Sequence, residues 1–198
     1  MKQYYDARAP EYDDWYLGLG RFDGLERPDW DEDLEAIVGA ICAMPPARTL
    51  DVACGTAFLT RHLQGQITAL DQSPRMLAIA CERVPAATLA RGDALELPFP
   101  DRAFERVFTS HFYGHLQLRE RERFLAEARR VAPELVVVDA ARRLDCAPEE
   151  WQRRVLDDGS RFVVYKRYFD GRSLAAELGG GQVIQDSRWF VAVVSRTD

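Results

Sequence analysis

Three aspartates stand at the ends of three successive predicted strands, and their placement suggests a binding site. The first is Asp51, in Leu50-Asp51-Val52-Ala53-Cys54-Gly55-Thr56-Ala57. The second is Asp71, followed by Gln72, and the third is Asp93, in Arg91-Gly92-Asp93-Ala94. Gly55 permits a tight turn and a close approach by a ligand. A helix over 56–63 would aim free amides and a positive dipole end at that ligand. Asp71 follows Asp51 at the spacing where a carboxylate can accept both hydroxyls of a ribose. Asp93 can accept from the amino group of an adenine. Three acids in this pattern suit a neutral nucleoside with a cationic end, and they do not suit a pyrophosphate.

Past the fourth predicted strand runs Ser110-His111-Phe112-Tyr113-Gly114-His115. Its imidazoles and phenol are the candidates for proton transfer, which matters only if the attacking group must lose a proton. His111 and Tyr113 are the residues expected to act. His115 reads as structural.

The elements that must hold these residues alternate in type. A helix is expected over 29–43, with Asp29 and Glu32 as a capping box and Trp30, Leu34, Ile37, Val38, Ile41 and Cys42 on one face. Strands follow over 48–53, 67–70, 87–90, 104–109 and 135–140. The helices between them fall over 56–63, 73–84 and 118–131, the second opened by Ser73-Pro74. The last carries Leu118, Arg121, Leu125, Ala128 and Val131 on one side. Arg106 in a central strand is read as marking that strand's exposed start. Residues 148–156 read as helical, 161–165 as a strand and 174–178 as a short helix. Strands over 182–185 and 189–194, joined by one turn, must be antiparallel. The expected fold is α/β: a doubly wound, mostly parallel seven-stranded sheet closed by an antiparallel C-terminal hairpin, Rossmann-like. The single domain divides into an amino-terminal lid with helices (1–45), a cofactor-binding core (46–140), a substrate-side insertion (141–170) and a final helix with strands (171–198).

Composition narrows the classes. The 198 residues carry a net charge of −6, and 29% of them are charged. That charge, with the basic residues of 119–130 interleaved with acids, disfavours nucleic acid as a partner. No apolar run is long enough to span a membrane, and the start does not read as a signal peptide, so a cytoplasmic protein is expected. Cys42, Cys54, Cys81 and Cys146 are far apart and read as reduced, buried thiols. Neither the cysteines nor His62, His111 and His115 have the spacing of a metal site.

Residues 50–63, 67–77 and 90–115 resemble the class I S-adenosylmethionine-dependent methyltransferases, especially the ubiquinone and menaquinone biosynthesis branch. The resemblance implies a small-molecule acceptor methylated by in-line displacement, with S-adenosylhomocysteine as product. It assigns Asp51 and Gly55, with Ala53 and Thr56 in the same turn, to the methionine part of the cofactor. It gives Asp71 and Gln72 to the ribose, Asp93 and Ala94 to the adenine, and Met76 to an apolar adenine contact. Ser110 and His111 would border the sulfonium. The segment 4–13, with Tyr12, looks like the family's lid. The sequence departs from the family's glycine-rich turn at Ala53 and Ala57, and Ala57 is expected to set a methyl against the cofactor.

In the insertion over 145–168, Trp151, Arg154, Arg161, Tyr165 and Lys166 either meet the substrate or form a solvated or dimer surface. In the first case an anionic acceptor is favoured. Two other functions fit the fold: a nicotinamide oxidoreductase, which would want Gly-x-Gly-x-x-Gly, and a nucleoside-binding protein without turnover.

Overall fold

The computed structural model describes residues 2–143 and 146–197. Its centre is a seven-stranded sheet in the order β3-β2-β1-β4-β5-β9-β8. The first five in the chain are β1 (Ala47–Val52), β2 (Gly65–Asp71), β3 (Thr88–Arg91), β4 (Arg106–Ser110) and β5 (Glu134–Ala140), all mutually parallel. Antiparallel to β5 runs β9 (Phe190–Arg196), and β8 (Gln182–Asp186) pairs antiparallel with β9. The hairpin of β6 (Glu149–Val155) and β7 (Arg161–Arg167) stands apart as its own two-stranded sheet.

The helices are α1 (Lys2–Arg8), α2 (Asp14–Leu17), α3 (Trp30–Cys42), α4 (Pro74–Arg83), α5 (Leu118–Val131) and α6 (Gly171–Glu177). No helix among the described residues is long and apolar enough to cross a membrane.

Strand alternation builds two cores from the same strands. Leu135, Val137, Val191 and Val193 belong to one cluster, with Phe124, Leu174 and Phe169. Their chain neighbours Val136, Val138, Phe190 and Ala192 belong to the other, with Ile37, Ile41 and Trp30. Successive side chains of a strand point to opposite faces, so a strand buried on both faces reads as an unbroken apolar run. The strand order reverses between β1 and β4, and the crevice at their carboxyl ends is where such sheets bind ligands. Sequence and structure agree on this architecture.

Several local expectations fail. Residues 56–63 form a turn and a short 3-10 helix, Thr60–His62, so no α-helix begins beside Gly55. Residues 148–156 form β6, not a helix; the exposed and half-buried residues of Glu149–Val155 alternate as an edge strand requires. Asp29 adopts a left-handed conformation and its side chain caps nothing. Leu118 is exposed, and Phe124 takes the buried place on α5. Arg106 does begin β4, but it is buried: its guanidinium pairs with Glu134 and donates to Pro45 O at 3.1 Å. Cys54 is buried as expected, but Cys42 and Cys81 are exposed.

The cap expected at Ser73 is present, and a second, not foreseen, opens α5. Ser73 Oγ accepts from Met76 N at 3.2 Å, and Glu120 accepts from Gln117 N at 2.8 Å.

Ile37 is fully buried in the second cluster. Ile37→Ala should cost about 2–5 kcal/mol, measured by urea denaturation with an unchanged m-value.

Candidate active site

Two adjoining cavities lie at the carboxyl ends of the strands, with Tyr5, Tyr12 and His111 in the walls of both. The larger, of about 240 Å³, runs from Gly55 past Asp71 and Gln72 to Asp93, Ala94 and Leu95. The smaller, of about 70 Å³, lies towards Ala140 and Lys166.

The larger cavity is organised by Asp71. One carboxylate oxygen accepts from Gly55 N at 2.9 Å, the other from Ser73 N at 2.8 Å. The carboxylate therefore ties the turn after β1 to the start of α4. Gly55 and Ala53 both have left-handed backbone there, φ +55° and +59°. A non-glycine residue in this region carries strain of about 1–2 kcal/mol, which Ala53 bears. Burial raises the Asp71 pKa against the lowering effect of the Ser73 and Gly55 amides. Among the described residues, the charged groups lining this cavity are Asp71, Asp93 and Glu120, with no lysine or arginine. A pyrophosphate would find no counter-charge there, whereas a nucleoside with a cationic end would.

Of the residues expected to hold a cofactor, Tyr12, Ala53, Gly55, Asp71, Gln72, Asp93, Ala94 and Ser110 all line this cavity. Asp51, Thr56 and Met76 do not. The Asp51 side chain is fully buried, accepting from the Thr60 hydroxyl at 2.5 Å, with Oδ1 unpartnered. Burial, opposed by the Thr60 hydrogen bond, pushes its pKa up to about 7. The Thr56 hydroxyl donates to Asp13 of the amino-terminal segment at 2.6 Å. Met76 is fully buried in α4, facing neither cavity. Ala57, also left-handed at φ +61°, packs its methyl with Cys54, Ala69 and Ala80 and stays away from the cavity.

Leu70, Gly92, Leu95, Phe112, Leu116 and Glu120 join the wall unforeseen. Only Glu120 carried a signal in the sequence, as the third helical residue after Gln117, where an acid caps a helix.

The smaller cavity has the opposite character. Arg8 from α1 and Lys166 from β7 line it with His111, His115, Trp15 and Tyr16. Arg8 lies over the rings of Tyr12 and Tyr4 and donates to the Tyr4 hydroxyl at 2.8 Å. Lys166 is buried and donates to Asp139 Oδ1 at 2.5 Å, while Asp139 Oδ2 accepts from Gly114 N at 2.7 Å. Burial pushes the Asp139 carboxyl up, but Lys166, His111 and His115 together outweigh it and hold the pKa below the usual range.

His111, at φ +52°, sits edge-to-face with Trp15, Tyr16 and Phe190. Its Nε2 is sealed from solvent without a partner, and burial lowers its pKa to about 4, keeping the ring neutral. Tyr113 lines neither cavity; its hydroxyl lies 3.2 Å from Glu177 Oε2, between α5 and α6. Its expected catalytic role therefore fails on position. Of the insertion residues, only Lys166 lines a cavity. Trp151 and Arg161 are exposed, Arg154 and Tyr165 half-buried, and residue 145 lies outside the described residues.

The amino-terminal segment roofs both cavities and is fastened by carboxylates. Asp6 accepts from Ser73 Oγ at 2.7 Å, and Asp13 pairs with Arg83 at 2.6 Å. Glu11 accepts from Asp157 N at 2.7 Å in the turn between β6 and β7. Tyr4 packs with Leu156, Val164 and Phe162 of that hairpin.

A doubly wound sheet with an acid-lined crevice at its switch point, roofed by the amino-terminal segment, is an arrangement that suits a nucleoside ligand. Comparison with known proteins narrows it. Residues 50–134 match the methyltransferase domain family. The chain is 37% identical over 100 residues to a demethylmenaquinone methyltransferase of Thermotoga maritima, covering 48% of this chain and 43% of that protein. It is 33% identical over 132 residues to the demethylmenaquinone methyltransferase of Renibacterium salmoninarum, covering 64% and 52%. The chain thus spans about half the length of these curated relatives. Among solved structures, the DhpI–SAM–HEP complex superposes with a TM-score of 0.78 at 26% identity, covering 98% of this chain and 95% of that one. The DhpI–SAH complex does so at 0.75 and 27%, covering 98% and 93%. Over residues 50–134 the chain is thus similar to the S-adenosylmethionine-dependent methyltransferases, and its core resembles the menaquinone branch.

The buried acid below the turn makes a stability test. The Asp51 pKa is raised on folding, so its contribution is most favourable below the unfolded value and is lost as pH rises towards about 7. Asp51→Asn keeps an oxygen for Thr60 and never ionises. Its melting temperature should exceed the wild type's by about 5 °C at pH 8. The gap should close near pH 4.5, as followed by differential scanning calorimetry.

Proposed function

We propose that this chain transfers a methyl group from S-adenosylmethionine to a small anionic acceptor, with S-adenosylhomocysteine as the product. The observation that carries this reading is the charge step across one shared wall. The larger cavity presents carboxylates alone, and the smaller presents Arg8 and Lys166. The cofactor, when bound, supplies a methyl already activated on a sulfonium. Every other contribution comes from the chain.

Asp71 accepts from ribose hydroxyls, and Asp93 with Ala94 meets the adenine at the far end of the same cavity. His111 borders the junction of the two cavities, with Ser110 beside it in the wall of the larger, and Tyr5 and Tyr12 line both. Arg8 and Lys166 anchor the acceptor's negative group. Much of the rate comes from holding the acceptor in line at about 3 Å from the methyl, and the aromatic walls keep water from competing. The DhpI–SAM–HEP complex, which carries SAM and HEP together, supports a two-compartment arrangement. An acidic crevice argues against the nicotinamide reading, since a dinucleotide carries its own negative charges. The unbridged thiols of Cys42, Cys54 and Cys81 fit a cytoplasmic setting.

Calorimetry with S-adenosylhomocysteine tests the cofactor half: micromolar binding is expected, and Asp71→Ala should weaken it more than tenfold. Absence of binding to the wild type overturns the proposal. Mass spectrometry tests the acceptor half, against a panel of small carboxylates, phosphates and phosphonates bearing a hydroxyl or amine, with neutral analogues beside them. Arg8→Gln should raise the acceptor KM about tenfold through loss of a charge-assisted contact, with the cofactor KM within threefold of wild type. Turnover of the neutral analogues alone overturns the anionic assignment, and turnover of nothing favours a nucleoside-binding protein.

A further inference from the structure

The ring that faces the acceptor with a fixed tautomer is His115, not His111. His115 closes the short 3-10 turn Tyr113–His115 after β4 and is buried in the wall of the smaller cavity. Its Nδ1 lies 2.7 Å from the carbonyl oxygen of Tyr165 on β7. A carbonyl can only accept, so Nδ1 carries the hydrogen and donates, and the lone pair resides on Nε2. A base needs its proton-accepting nitrogen oriented by a partner on the other side of the ring, and here a backbone carbonyl is that partner. His111 lacks such an arrangement: its Nε2 is sealed among aromatic rings with no partner.

The setting of His115 is defined on every side. Tyr5 of α1 packs edge-on at 6.0 Å between ring centroids. Lys166 of β7, Asp139 of β5 and Arg154 of β6 act on it electrostatically. Arg8 and His111 share the cavity wall. The turn itself is pinned, because Asp139 holds both Gly114 N and Lys166 Nζ. The ion pair therefore fixes the loop that carries the imidazole.

We propose that His115 is the proton acceptor of the methyl transfer, an assignment that rests on the two-cavity reading above. The acceptor's hydroxyl or amine lone pair forms the new bond to the methyl carbon, and the sulfur–methyl bond breaks with its electron pair returning to sulfur. The proton released from the acceptor goes to His115 Nε2. Burial and then Lys166 push the His115 pKa well below its ordinary value, which keeps Nε2 unprotonated before the reaction. An anion seated beside it opposes both effects and raises its basicity.

The test starts with nitrogen-15 histidine spectra of wild-type protein saturated with S-adenosylhomocysteine, with and without inorganic phosphate as the anion probe. The expected result is a protonated Nδ1 and a bare Nε2 on His115 at pH 7.5, with its titration moving up by one pH unit or more when phosphate is added. The reverse tautomer, or a titration indifferent to phosphate, overturns the proposal. Kinetics with the best acceptor of the panel follow. His115→Gln should lower kcat at least a hundredfold and remove the acid limb of the kcat/KM profile, with S-adenosylhomocysteine affinity within threefold of wild type. His111→Gln should retain that limb. A limb that persists in His115→Gln, or vanishes only in His111→Gln, overturns the assignment. Failure of the wild type to bind S-adenosylhomocysteine would instead strike the two-cavity reading itself.

Discussion

The arrangement depends on a buried carboxylate at the end of β2. Asp71 takes an amide from the turn after β1 and another from the start of α4, and its remaining surface faces the larger cavity. Leaving a buried charge without partners is expensive, and two backbone donors offset that cost. The same bonds set the width of the crevice, because they fix where Gly55 and Ser73 sit. Structure and recognition thus share one side chain. This explains why the crevice can be lined with acid yet hold together without a nearby cation.

Asp139 plays the matching part on the other side. It ends β5, holds the turn that carries His115 and holds the hairpin lysine. A β-hairpin on its own is marginal in water. Here it is secured at one end by this ion pair, and at the other by packing of Tyr4 and by the bond from Asp157 N to Glu11. The residues best placed for acceptor chemistry belong to elements added around the sheet, while those for the nucleoside belong to the sheet.

That division explains what could be read from the chain. The sheet announced itself because β1, β4 and β5 are buried on both faces and alternate with helices of clear period. Asp71, Asp93 and Gly55 were legible for the same reason: each lies where a strand ends. Asp51 was misplaced because its position in the chain cannot tell a side chain facing the crevice from one beneath the turn. The expected helix after Thr56 failed because apolar Phe58, Leu59 and Leu63 serve a compact turn packed in the core as well as they would serve a helix. In the sequence β6 reads as a helix because its charges, Glu149, Glu150, Arg153 and Arg154, suit a solvated helix face equally well. Lys166 stands out in the sequence as one of several candidates in the insertion, but its meeting with Arg8, far away in the chain, arises only through the tertiary fold.

Tyr5 and Tyr12 belong at once to both compartments, and both come from a segment fastened by Asp6, Glu11 and Asp13. One ceiling thus spans two rooms. Any movement of that segment that opens one compartment therefore opens the other as well.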